Sequence, residues 1–341
     1  MNQPAPRVSI GLPVYNAENY LRTCLDCLLG QTYRDLEIVI SDNASTDSTQ
    51  QICQEYAVRD GRVRYHRAER NGGAAWNFNR AFELSRGEYF KWAAHDDLCS
   101  TDFVDRCVAL LDAHPDAAWC HSERLEIDAE GQSIALPHGQ PHTTSGKLSA
   151  LAKVADQQRT HKRFREVLFS QGASLDIYGV ARRKAMLQTG LHRPYFGADK
   201  VFLAELSLQG RWLAIPDALF YMRWHAAQSS WIPSQHGQEQ WIAGKSASRL
   251  RPPRQLRCLL GQLGVAWRSP GGTVDRLRCL AAVGGFALQL RKWKRLGVDL
   301  FRAMGVRMAV PEDTLRPTKP PAAKRPAASK GGKLQTSEHR A

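Results

Sequence analysis

Two adjacent carboxylates, Asp96 and Asp97, directly follow an apolar, strand-like run from Glu88 to Ala94. In an open α/β sheet the ligand crevice lies outside the carboxyl ends of the strands, and hard divalent cations take oxygen ligands there alongside substrate phosphates. A chain that delivers paired carboxylates from a buried strand is therefore constrained towards a sheet whose strands end at a site. An Asp-Asp pair is also an ordinary solvated turn or helix N-cap, so the segments before it must decide.

Those segments read as βαβ. Arg7 to Asn16 is a short apolar run bounded by proline and asparagine, as expected for a buried strand opening into a loop. Tyr20, Leu21, Cys24, Leu25, Leu28 and Leu29 recur at helical spacing, and Gly30 ends that run. Leu36 to Asp42 is a second strand ending in a carboxylate, followed by Asn43 to Thr49 with the composition of a turn and helix cap. Arg62 to His66 predicts a third strand. Asn71-Gly72-Gly73 leads into a helix from about Ala74 to Ser85, which Gly87 stops before the strand that delivers the two aspartates.

In this order the pieces resemble the family-2 glycosyltransferases of the GT-A fold. They are Leu12-Pro13-Val14-Tyr15-Asn16, Gln31-Thr32-Tyr33, Asp42 to Asp47, then Asn71, Gly73 and Asn79, then Gly87-Glu88-Tyr89-Phe90 and His95-Asp96-Asp97. The resemblance is clear over residues 7–115 and looser to about 230. It implies an α/β fold with a Rossmann-like mixed sheet flanked by helices, binding a nucleotide sugar. The expected organisation is a flexible N-terminus (1–6), a GT-A domain (7–235) with a nucleotide-binding half (7–115) and an acceptor half (116–235), a basic helical appendage (236–310) and a disordered basic tail (311–341).

The resemblance also implies roles. Asp42 would sit near the nucleotide base and accept a hydrogen bond from a ring N–H, with Pro13, Tyr15, Asn16 and Asn71 around the same nucleotide-sugar site; a capping or turn aspartate is the plain alternative for Asp42. Asp96 would face the ribose or support the metal shell, and Asp97 would ligate Mg²⁺ or Mn²⁺ on the diphosphate. Many members carry an aspartate where this chain has His95, and imidazole suits softer metals than Mg²⁺, so His95 is expected outside the metal shell. Phe78 stands where an arginine is common, leaving Arg70, Arg80 or neither as its substitute.

In the second half, Phe196 to Gly210 has a helical pattern with Asp199 at its start. The resemblance makes Asp199 the base that deprotonates the acceptor hydroxyl, a role compatible with stabilising its helix through the macrodipole. Leu219 to His225 reads as a strand, and its Arg-x-His segment offers Arg223 to the diphosphate and His225 to the metal site, against the alternative of a surface arginine beside a core histidine.

Charge divides the chain. Residues 1–244 carry 26 basic and 28 acidic groups, a net of −2, whereas residues 245–341 carry 21 and 5, a net of +16. From Val274 to Val306, Leu277, Leu280, Val283, Phe286 and Leu290 are interspersed with arginines and lysines around Trp293. Such a helix can lie on an anionic membrane surface or pack on the GT-A domain. Nothing matches a nucleic-acid recognition module, so no nucleic-acid partner is expected. The run after Pro311 has too little apolar content to fold.

No secretory signal and no stretch of about 18 apolar residues is visible, which predicts a cytoplasmic protein, peripheral at the inner face of the membrane if the basic segment anchors it. The eight cysteines are scattered; Cys24 and Cys27 have CxxC spacing without a second pair, so free thiols are expected. The function these features predict is inverting transfer of a sugar from a nucleoside diphosphate to a hydroxyl of a polysaccharide or lipid-linked oligosaccharide. The alternatives are a non-catalytic nucleotide-sugar-binding or scaffold protein, and a nucleotidyltransferase, which would show a Gly-rich basic phosphate loop near the N-terminus.

Overall fold

The computed structural model describes residues 4–134, 159–170, 177–232, 234–244 and 252–289. Eight strands form one sheet in the order β3-β2-β1-β4-β7-β6-β8-β5. They are β1 (Val8–Val14), β2 (Leu36–Asp42), β3 (Val63–Arg67), β4 (Tyr89–Trp92), β5 (Leu98–Cys99), β6 (Ala117–Ile127), β7 (Val180–Arg182) and β8 (Arg211–Arg223). β1 pairs in parallel with β2 and β4, and β2 with β3. β7 runs antiparallel to both β4 and β6, and β6 is parallel to β8. It follows that β1, β2, β4, β6 and β8 all point the same way, so their carboxyl ends share one edge.

The helices are α1 (Leu21–Leu29), α2 (Thr49–Arg59), α3 (Ala74–Glu83), α4 (Phe103–Ala113), α5 (Thr160–Phe169), α6 (Arg183–Met186), α7 (Asp199–Ser207), α8 (Gln235–Ala243), α9 (Arg254–Trp267) and α10 (Thr273–Ala287). Strands covered on both faces need apolar residues at consecutive positions, and β1 and β2 are buried at all seven positions each. One core lies under α1, α2 and α4, with Leu25, Tyr56 and Val108 against Ile10, Ile38 and Tyr89. The other joins Phe82 of α3, Phe164 of α5, Phe202 of α7, Val265 of α9 and Val283 of α10 around Trp92, Trp119 and Trp212. β4 alternates between the two, Tyr89 towards the first and Phe90 and Trp92 towards the second.

The predicted strands and helices of residues 7–115 appear within a few residues of their expected bounds. The basic segment is less separate than the word appendage suggests. Val265, Ala266, Cys279 and Val283 are buried in the second core, and Leu280 and Phe286 pack against it, so α9 and α10 pack onto α7 and α5, the helices that cover this side of the sheet. Residues 290–341, which hold most of the basic charge and the expected tail, lie outside the described residues. At the other end, α8 closes on α3: a Cβ at Gly73 would come within 2.3 Å of the Gly244 nitrogen, and Gly73 has φ +87°, a region that favours glycine.

Candidate active site

The edge where the parallel strands end is tied together by side-chain amides and carboxylates. Buried Asn77, on α3, donates to the carbonyls of Val14 (3.1 Å) and Ser41 (2.9 Å) and accepts from the Ser41 hydroxyl (2.7 Å). It thereby fixes the spacing of the β1 and β2 ends. Asn16 turns the chain with φ +49°, its N–H donating to Ser45 Oγ (3.0 Å) and its Oδ1 accepting from the Thr46 N–H (2.9 Å). Asn71 Oδ1 accepts from Asn43 Nδ2 (3.0 Å) and from the Gly73 N–H (2.8 Å), shaping the entry to α3. Pro13 is buried at the end of β1, while Tyr15 is 42% exposed beside it.

Asp42 is fully buried. Its Oδ1 accepts from the Ser45 N–H (2.9 Å) and hydroxyl (2.6 Å), its Oδ2 from the Tyr65 hydroxyl (2.7 Å), and Arg67 Nε lies 3.6 Å away. Oδ1 therefore holds the turn that carries Ser45 and Thr46, while Oδ2 is taken up by β3. Phe78 packs edge-on against His192, and Arg80, the proposed substitute, reaches Ser41 Oγ and the His66 carbonyl at 3.3 Å each. Arg70 is exposed.

Asp96 and Asp97 stand just beyond β4, where the end of β8 meets them. The His225 Nε2 lies 2.8 Å from Asp96 Oδ2, and the Arg223 N–H donates to Asp97 Oδ1 at 2.9 Å. Burial pulls the Asp96 carboxyl upwards, but the His225 hydrogen bond and the nearby imidazole charges outweigh it and hold the group below its ordinary range. Burial first, and then the adjacent Asp96 charge, push Asp97 well above its own range. His95 is lowered by burial and makes no hydrogen bond among the described residues.

Arg223 was expected at the diphosphate. Its guanidinium is buried instead, donating to the carbonyls of Asp96 (2.8 Å), Asp128 (3.1 Å) and Ala129 (2.9 Å) and lying 4.8 Å over the Tyr20 ring. Tyr20 also meets the His225 ring at 4.8 Å. The Arg-x-His segment is thus joined to the Asp-Asp turn, with Arg223 holding backbone and His225 holding a carboxylate.

Asp199 is the first residue of α7, which has no side-chain cap hydrogen bond. Its carboxylate makes no hydrogen bond or ion pair among the described residues. Two side chains that sequence reasoning missed lie close to the aspartate pair. Burial, followed by the charges of Asp97, Asp96 and Asp199, pushes the Tyr178 hydroxyl well above its usual range, so that one phenol senses both groups. Tyr178 stacks on Phe220 at 5.5 Å and accepts through its carbonyl from Lys91 Nζ at 2.9 Å. Lys91, 2% exposed, lies beneath the site between the Phe103 and Phe220 rings. A lysine inside the apolar run Glu88 to Ala94 was a visible signal; Tyr178, on a short and unpatterned segment, was not.

The fold is that of the GT-A glycosyltransferases. The chain superposes on Staphylococcus aureus TarS 1–349 in complex with UDP-GlcNAc with a TM-score of 0.59 at 16% identity, covering 87% of this chain and 80% of that one. It superposes on the mannosyltransferase PcManGT of Pyrobaculum calidifontis, in complex with GDP-Man and Mn²⁺, with a TM-score of 0.54 at 17% identity, covering 92% and 79%.

Residues 9–169 match the model of glycosyl transferase family 2, the family that the motifs resemble. A chondroitin synthase of Escherichia coli is 34% identical over 145 residues, 42% of this chain and 21% of that protein. Glycosyltransferase GlyG of Streptococcus pneumoniae is 35% identical over 98 residues, 29% of this chain and 33% of that one. The chain thus spans only a fifth to a third of the length of these two curated relatives.

Proposed function

We propose that this protein transfers a sugar from a nucleoside-diphosphate sugar to a hydroxyl of a polysaccharide or lipid-linked oligosaccharide, with inversion at the anomeric carbon. The observation that carries the reading is the turn just beyond β4, where buried Asp97 accepts from the Arg223 N–H at 2.9 Å and Asp96 meets His225 Nε2 at 2.8 Å, at the edge where the parallel strands end. Relatives and fold neighbours point the same way, since one is named a chondroitin synthase and others are bound to UDP-GlcNAc or GDP-Man.

Among the described residues no three His, Cys, Asp or Glu side chains converge as a metal cage. That suits Mg²⁺ or Mn²⁺, which bind through one or two carboxylates and complete their shell with water and substrate phosphates. The two fit the donor set here, with Asp97 as ligand and His225 fixing Asp96 beside it. A bound divalent cation would supply charge neutralisation for the departing diphosphate. Asn16 and Asn71 frame the nucleotide pocket with Tyr15 and Pro13, and Asp42 acts there by holding the Ser45–Thr46 turn. Asp199 removes the proton from the acceptor hydroxyl as its oxygen attacks the anomeric carbon and the diphosphate leaves from the opposite face.

No helix of the described residues is long and apolar enough to cross a membrane. Leu260, Leu263 and Trp267 on α9, with Val274 and Leu277 on α10, are nevertheless exposed, and Arg276 lies 5.9 Å over the Trp267 ring. This apolar and cationic surface supports peripheral attachment to an anionic membrane. The decisive test is hydrolysis of a panel of nucleotide sugars with Mn²⁺, then with candidate acceptors. Absence of turnover across UDP-, GDP- and dTDP-sugars would refute the reading.

A further inference from the structure

Cys27 carries the CxxC spacing with Cys24, yet the fold gives the two sulfurs different partners. The Cys24 thiol donates to the Ala94 carbonyl at 3.4 Å, whereas Cys27 Sγ lies 3.8 Å from Cys99 Sγ, seventy-two residues away. Cys27 is partly exposed on α1, and Cys99 is buried on β5, which begins at the residue after Asp97. The Cys99 N–H donates to Cys27 Sγ at 3.2 Å, and Gln31 Nε2 approaches Cys99 Sγ at 3.5 Å while holding the Ser100 carbonyl at 2.8 Å. Each sulfur thus has one N–H donor, and the Cys27 thiol itself donates to the Cys99 carbonyl at 3.1 Å. Hydrogen bonding from the Cys99 thiol, opposed by burial and reinforced by the Cys99 N–H and the Lys91 charge, brings the Cys27 thiol down to about 7.

We propose that Cys27 and Cys99 form a peroxide-sensitive thiol pair whose oxidation to a disulfide controls the site built on Asp97. The Cys27 thiolate attacks hydrogen peroxide, forming an S–O bond, breaking the O–O bond and releasing hydroxide. The Cys99 thiol then attacks the resulting sulfenic acid, forming the S–S bond and expelling the oxygen as water. Both sulfurs are oxidised and the peroxide is reduced to water. A disulfide requires about 2.05 Å between the sulfurs, so closure from 3.8 Å draws α1 and β5 together. β5 pairs with β8 through Leu98 and Tyr221 and through Cys99 and Phe220, and β8 supplies the N–H that Asp97 accepts. Its displacement therefore reaches the aspartate and the Phe220–Tyr178 stack together. Thiolate character, accessibility and a resolving thiol in place mark redox-responsive cysteines.

The control of turnover rests on the proposed transferase function, whereas disulfide formation does not. The test treats the full chain with hydrogen peroxide, maps disulfides by non-reducing peptide mass spectrometry and follows nucleotide-sugar hydrolysis before and after dithiothreitol. The expected result is one cross-linked peptide pair containing Cys27 and Cys99, the loss of those two thiols, and a fall in turnover that the reductant restores. Cys27→Ser should keep its turnover in peroxide. Absence of the cross-link, or equal peroxide inhibition of Cys27→Ser, overturns the proposal, as does a fully formed disulfide with unchanged turnover. If the reduced protein hydrolyses no donor, the transferase reading has failed, and the peptide map alone decides whether the thiol pair forms.

Discussion

Arg223→Lys separates two roles for this arginine that the sequence left open. If its charge serves the diphosphate, lysine should preserve much of the function; if its planar fork holds backbone, lysine should not, because an ammonium cannot span three carbonyls. The guanidinium donates to Asp96, Asp128 and Ala129 at 2.8 to 3.1 Å from a position only 3% exposed. A lysine can keep one of these bonds. Losing two charge-assisted bonds at ~1.5–3 kcal/mol each, partly offset by water entering the smaller side chain's space, costs about 3 kcal/mol. For a domain of this size that lowers Tm by roughly 6–12 °C. Thermal unfolding followed by circular dichroism measures the shift, and titration with a nucleoside diphosphate and Mn²⁺ measures binding. A Tm within a degree of the parent, with weakened nucleotide binding alone, would refute the backbone-clamp reasoning.

Asp97→Asn should abolish turnover and remove the Mn²⁺-dependent part of nucleotide affinity, with equal activity of variant and parent as the contrary result. Asp199→Asn should lower kcat on the order of a hundredfold or more while leaving Tm unchanged, since the side chain caps nothing in α7; an earlier melt with normal turnover would make it structural. Burial lowers His192 to about 3, whereas an unfolded histidine titrates near 6.5. The unfolded state therefore takes up the proton first as pH falls, and stability is lost between these values, by about 2 kcal/mol from pH 6.5 to 5 for this group. His192→Phe should flatten that part of a denaturant-midpoint profile, and an unchanged slope would contradict it. Leu263→Ser with Trp267→Ser should release the protein from liposomes containing acidic lipid if α9 meets a membrane, and undiminished sedimentation would place attachment elsewhere.

The sequence by itself determined the parallel half of the sheet. Strands buried on both faces read as near-continuous apolar runs, and Val8–Val14 and Leu36–Asp42 do so, interrupted only by Ser9 and Glu37 and by the polar end Ser41-Asp42, so that they could be recognised as strands without a partner. The Asp-Asp turn and the start of α7 were legible for the same local reasons. What the aspartates touch was not. Asp42, Arg223 and His225 each looked available for a ligand, and whether a polar group is free depends on partners distant in the chain: Tyr65 for Asp42, Asp128 and Ala129 for Arg223, Asp96 for His225. The apolar stripe of residues 274–286 illustrates the same limit. Its periodicity fits a membrane surface and a packed helix equally, and the tertiary structure decided that Cys279 and Val283 enter the core while Val274 and Leu277 face outwards. Periodicity is a property of one segment, whereas burial and hydrogen-bond satisfaction belong to pairs of segments that only folding brings together.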